Sequence, residues 1–348
     1  MDMNEFVHVC DLTMKGRSLS PTEVQRLEST VEANPKDIDA RVKLLGFYFG
    51  QGTHNRVPCE HACKHVFWFI QNAPEHEVLE QPEGVPHFHS ELDDLFQRGK
   101  ELWNEQIKEN QRDASVLKNA SYYFYHRDWV RAISLLEAAL ELEPQNARLK
   151  DRLAFTCELG ARSDKTADRL HRAMVLREEL LNTASARDRL RALTNLAETA
   201  YRRDDFKTCR EAAEQVLQSS DRNGDEFHQA HQLIGLVQLA DSDRAGARLS
   251  LLQSGKVKST PVLSSFGPKF QLAKQLLHMG ERAAVLKYLE DCSLFWESGQ
   301  KDLAYWWIQM QLGGTPALDK QGSVELFLPR WLNVPAKGFL SVIRLRRK

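Results

Sequence analysis

The sequence predicts an all-α protein assembled from stacked helical hairpins. Three observations point there. Leu alone outnumbers Ile and Val together over the 348 residues, so strand formers are scarce and helix formers abundant. Apolar residues recur at three- and four-residue spacing along most of the chain. Short breaks of the Asn-Pro, Gly and Asp-Asp kind separate those stretches, as helix ends require.

The first recognisable helix starts at Pro21. Ser20 suits the N-cap, Pro21 the first turn and Glu23 the third position of a capping box. Leu27 and Val31 share its face, and Asn34-Pro35 ends it. A second helix runs from Asp37 to Phe49, with Ile38, Val42, Leu45 and Phe49 in phase, and stops at Gly50-Gln51-Gly52. A third covers Pro58 to Gln71 and closes at Asn72-Ala73-Pro74. Residues 1–20 are read as an N-terminal segment ahead of these helices. From Pro74 to about Glu91 the prolines, Gly84, acids and histidines predict an irregular excursion, so 75–112 reads as that excursion plus a connecting helix.

From Asp113 the pattern tightens. Ala120 and Tyr123 on one helix are followed by Ala132, Leu136, Ala139 and a closing Pro144 on the next. Thr194 to Tyr201 with Cys209, Ala213 and Val216 form another such pair. Gly235 with Ala247 and Leu251, and Ala273 with Val285, Leu289 and Cys292, form two more. Leu153-Ala154, then Ala167, Leu170 and Ala173, make a degenerate unit between the first and second pairs. The small residues of the first helices are spaced by 34, 43, 38 and 38 residues.

On these residues 113–292 resembles the tetratricopeptide repeat family, and 21–74 looks like a more diverged set of related hairpins. The resemblance implies a right-handed α-solenoid whose concave side binds peptides. A small residue belongs where the two helices of a repeat cross, and no repeat buries its apolar stripe without neighbours. Trp is missing from the first signature position throughout. The stretch 293–348, with Trp296, Trp306 and Trp307, is expected to cap the array and to end in a basic tail, Arg344 to Lys348.

Composition narrows the function by exclusion. With 47 basic and 48 acidic residues the net charge is −1, which argues against a basic nucleic-acid-binding domain. Nucleic acid is expected as an indirect partner at most. The start Met1-Asp2-Met3-Asn4-Glu5 does not open a secretory signal, and no apolar run spans a bilayer, so no membrane partner is expected. Six scattered cysteines suit a reducing cytoplasm. Gly50-Gln51-Gly52 lacks a preceding strand, so it is no dinucleotide fingerprint, and neither a nucleophile elbow nor a zinc-protease motif occurs. No catalytic residue and no cofactor are expected.

Cys59, His61, Cys63 and His65, with His54, His76, His87 and His89 around them, are the one set that invites metal chemistry. On a helix the two cysteines share one face and His61 and His65 another, so the four do not converge on one ion. Buried cysteines and outward histidines are the structural expectation.

The expected reading is therefore a non-enzymatic scaffold or adaptor that holds a partner protein segment in a concave groove. By the family's geometry the groove residues are Ser121, Phe124, Tyr125, Asp151, Phe155, Glu158, Arg191, Glu198, Tyr201, Arg202 and Gln232. The acids among them suit a basic or amphipathic segment. Leu117 and Ser121 stand where a carboxylate clamp needs Lys and Asn, which excludes that version. Two alternatives are a regulatory subunit of an enzyme or nucleic-acid-guided complex, and a metal protein centred on 54–89.

Overall fold

The computed structural model describes residues 3–319, apart from 54, 87, 89, 165–166 and 184–185. The basic tail, His54, His87 and His89 lie outside the described residues. Among the described residues there are 17 α-helices, three short 3-10 turns and no strand, and consecutive helices pack on one another. None of these helices is long and apolar enough to cross a membrane. The chain divides into two compact units, 1–169 and 170–348.

Unit 1 opens with helix α1 (Met3–Arg17), in a stretch where the sequence offers no helix punctuation. It buries Val9 and Leu12 and packs on α3 (Ile38–Gly50). Two glycines make that crossing possible: a Cβ on Gly46 would sit 2.2 Å from the Thr13 carbonyl oxygen, and one on Gly16 2.1 Å from that of Lys43. Between them α2 (Pro21–Ala33) has the expected capping box, Ser20 N–H donating to Glu23 at 2.8 Å. Asp37 caps α3 by accepting from the Ala40 N–H at 2.9 Å. Helix α4 (Arg56–Asn72) follows, then the excursion as 3-10 turns Glu77–Glu80, Pro82–Gly84 and Ser90–Leu92.

Helix α5 (Asp93–Glu109) leads into the hairpin α6 (Ala114–Phe124) and α7 (Trp129–Leu142), and α8 (Ala147–Asp164) packs on α7. Ala120, Ala132 and Ala154 are fully buried, as close helix approach demands. Tyr123 stacks on Phe96 with ring centroids 5.4 Å apart and donates its hydroxyl to the Phe96 carbonyl at 2.9 Å. Gly99 leaves the space for that hydroxyl, since a Cβ there would lie 2.1 Å from it.

Helix α9 (Ala167–Thr183) carries the chain into unit 2. Three hairpins follow: α10 (Ala186–Arg202) with α11 (Phe206–Gln218), α12 (Gly224–Ala240) with α13 (Arg244–Ser254), and α15 (Gln271–His278) with α16 (Arg282–Cys292). A one-and-a-half-turn helix, α14 (Pro261–Phe266), precedes the third. The first helices α10, α12 and α15 touch in succession, and α13 touches α16. The turn inside each hairpin has the same backbone. Asp204, Ser242 and Gly280 have φ of 60°, 64° and 87°. The next N–H in each reaches back to the carbonyl of Ala200, Gln238 or Leu276 at 2.9, 2.7 and 2.9 Å. Ala197, Gly235 and Ala273 are buried at corresponding positions, and a Cβ on Gly235 would meet Leu272 at 2.3 Å. Helix α17 (Gln300–Gln311) adds Trp306, Trp307 and Met310 to the core formed by α15 and α16.

Candidate peptide-binding groove

In unit 2 three neighbouring elements build one cavity of about 150 Å³. The last turn of α10 contributes Glu198, Tyr201 and Arg202; the middle of α12 contributes Gln232, Leu233 and Leu236; the connection into α15 contributes Lys269 and Gln271. Glu198 reaches the cavity with Tyr201 and Arg202, and Gln232 with Leu236, because residues three and four apart share a helix face.

Lys269 is fixed by its main chain. Its N–H donates to Nε2 of His228 at 3.0 Å, and its carbonyl accepts from the Tyr288 hydroxyl at 2.8 Å. With Nε2 accepting, Nδ1 of His228 carries the proton and donates to the Ser254 carbonyl at 2.9 Å. His228 is buried, and burial pushes its pKa down to about 4. The Lys269 ammonium then meets Glu198 at 2.8 Å, and Gln229 donates to the same carboxylate oxygen.

Gln232 is held in one orientation. The Ser254 hydroxyl donates to the Leu251 carbonyl at 2.7 Å, and the Tyr288 hydroxyl is spent on Lys269. Both oxygens can only accept from Gln232, so its amide nitrogen faces them, at 2.8 and 3.3 Å. Its carbonyl oxygen is buried without a partner. The Tyr201 hydroxyl accepts a long hydrogen bond from Gln271 at 3.5 Å, and burial raises its pKa. A carboxylate, two cations, oriented amides and a phenol over a leucine floor make a lining suited to noncovalent recognition.

Of the groove residues expected from the repeat register, Glu198, Tyr201, Arg202 and Gln232 line this cavity. Gln232 is nonetheless only 1% exposed, because Ser254 and Tyr288 close over its amide. Arg191, on the same helix as Glu198, is exposed and lies outside the cavity lining.

Unit 1 departs further from expectation. Ser121 and Phe124 are buried and offer no surface to a partner. The first 3-10 turn packs on α6, where Lys118 pairs with Glu80 at 3.0 Å and Asn119 donates to the Pro74 carbonyl at 2.9 Å. Phe124 sits edge-on to Phe96 with the Arg131 guanidinium 4.1 Å from its ring centre. Tyr125, Asp151 and Glu158 are half-buried and Phe155 is exposed. Tyr125 and Phe155 come together around Arg152, a residue the register did not select. Neither Lys269, which opens the fourth repeat copy, nor Arg152 was among the groove residues expected from the register.

The cysteine–histidine set separates as helix geometry requires. Cys59 and Cys63 are buried with their sulfurs 3.9 Å apart, while His61 is exposed and stacks on Tyr48. His65, expected on the outside, is fully buried: it accepts from Arg41 at 3.2 Å and donates to Glu28 at 3.0 Å. Burial works to raise the Glu28 carboxyl, but hydrogen bonds from His65 and Tyr48 outweigh it and hold its pKa at about 2. His76 accepts from the Val78 N–H. Among the described residues no three His, Cys, Asp or Glu side chains converge as a metal site.

No protein-family model matches the sequence, and no curated protein matches it.

Proposed function

We propose that the protein is a non-enzymatic interaction scaffold, a right-handed α-solenoid of hairpins resembling tetratricopeptide repeats, whose groove along α10, α12 and α15 binds a segment of a partner protein. The observation that carries this reading is the convergence of Glu198, Tyr201, Arg202 and Gln232 on one cavity. These four come from two successive first helices, the arrangement a segment needs to be gripped at more than one point along its length. The exposed Gln271 amide and the Glu198–Lys269 pair offer both acceptors and donors to an extended backbone, and the buried Leu233 and Leu236 form the apolar floor beneath them. The proposed setting is the reducing cytoplasm, in keeping with six cysteines outside any disulfide, five of them buried.

The test is site-specific photo-crosslinking in cells. A photoreactive residue in place of Gln271 should capture one defined segment of a partner, identified by mass spectrometry. The same residue in place of Glu214, exposed on α11, should not. Equal capture from both positions, or none from Gln271, overturns the proposal.

A further inference from the structure

We propose a second recognition point, in unit 1, where Arg152 and the rings of Tyr122, Tyr125 and Phe155 receive a carboxylate side chain from a partner segment. The guanidinium carbon of Arg152 lies 3.4, 4.6 and 5.8 Å from the three ring centres. Ring faces stabilise a cation through their quadrupoles but are weak acceptors for its N–H bonds compared with a carboxylate oxygen. Its Nε and Nη2 are buried and have no hydrogen-bond partner, and no carboxylate among the described residues pairs with it. A buried charge in that condition is one acceptor short.

The neighbouring acids do not supply that acceptor. Glu80 is held by Lys118 at 3.0 Å and Arg148 at 3.3 Å. Burial pushes the Glu77 carboxyl up to about 7, so near neutral pH it is only partly charged. Lys118, Arg148 and Arg152 outnumber the carboxylates Glu80 and Asp151 around the fork. The group that matches a guanidinium fork is a carboxylate, which takes two parallel N–H bonds. Phe155 is 41% exposed, the most open of the three rings, and marks the side from which an occupant reaches the fork. A carboxylate with an apolar flank, as on an Asp or Glu next to an aromatic or aliphatic residue, fits both features. All four side chains belong to α6, its C-terminal cap and α8, within unit 1.

The experiment is a nuclear magnetic resonance titration of the full chain, reading the Arg152 Nε–H signal. Arg152→Lys identifies that signal by its loss; should this variant not fold, the ring-current change in Phe155→Ala identifies it instead. The probes are 3-phenylpropionate, 3-phenylpropionamide and phenyl phosphate. The carboxylate should move the signal saturably and bind roughly tenfold or more tighter than the amide, as a charge-assisted pair does over a neutral one. Phe155→Ala should weaken carboxylate binding several-fold while leaving the signal in place. No shift, an equal response to the amide, or tighter binding of phenyl phosphate overturns the proposal.

Discussion

Gly16 and Gly46 face each other where α1 crosses α3: a Cβ built on Gly16 would come within 3.1 Å of the Gly46 Cα. The backbones touch, so this contact has no room for any side chain on either partner. Replacing a mid-helix glycine by alanine ordinarily stabilises a helix by about 1 kcal/mol. Here the sign reverses. Gly46→Ala should destabilise unit 1 by roughly 1–3 kcal/mol, the range for overpacking a closed contact. Urea denaturation of the two proteins checks it, and a neutral or stabilising result would mean α1 does not dock as described.

The three hairpin turns of unit 2 allow a stabilising change. Gly280 adopts its left-handed backbone without strain, whereas Ser242 holds the same conformation at φ 64° with a side chain. Ser242→Gly should raise stability by about 1 kcal/mol, the left-handed penalty of an ordinary residue. The midpoint of chemical denaturation reports it.

Acid should loosen unit 2 in a defined window. The folded-state pKa of His228, about 4, lies below the ordinary 6.5 because burial disfavours its charged form. The unfolded chain then binds the extra proton, so the contribution is fully present above pH 6.5 and is lost as pH falls toward 4. Its size is about 3 kcal/mol at most. His231 is pushed down to about 4 for the same reason and adds in the same direction. Denaturation curves from pH 7.5 to 4 should show stability falling, with a shallower fall in His228→Gln and a shallower one still when His231→Gln is added. Unchanged slopes would place both rings in contact with water.

Binding should depend on the α10 face of the groove. Tyr201→Ala should weaken a crosslinked partner segment by roughly tenfold or more, as loss of a tyrosine hot spot does, with circular dichroism unchanged. Glu198→Lys removes the partner of Lys269 and should act chiefly on the association rate and its salt dependence. Stopped-flow titrations at two ionic strengths separate the two effects.

Helices with side-chain punctuation were the legible part of the fold. Ser20 with Glu23, and Asp37, announce α2 and α3 in the sequence because each cap needs a particular residue at a particular spacing. Helix α1 was not legible: it buries only a thin set of side chains, Val9 and Leu12 among them, and seats on bare glycine backbone that no apolar stripe reveals. The same contrast holds for the groove. Glu198, Tyr201 and Arg202, selected by the repeat register, converge on one cavity. Ser121 and Phe124 were placed on a face that exists but is covered, because what covers it is the irregular 74–92 excursion and α5, whose docking follows from Lys118–Glu80, Asn119–Pro74 and Phe124–Phe96 contacts rather than from any repeat. Arg152 escaped notice because a cation beside an acid in a helix ordinarily reads as solvated.

Because His228 and Tyr288 grip Lys269 solely by its main-chain N–H and carbonyl, the fold reads that position as a socket rather than as a lysine. Any residue with a backbone N–H can make the same two bonds, so the charge that faces Glu198 can be exchanged like a tool bit while the holder stays the same. Within unit 2, the charge at the cavity and the anchoring of the backbone are thereby written in separate places: one in the side chain at 269, the other in the two buried rings beneath it.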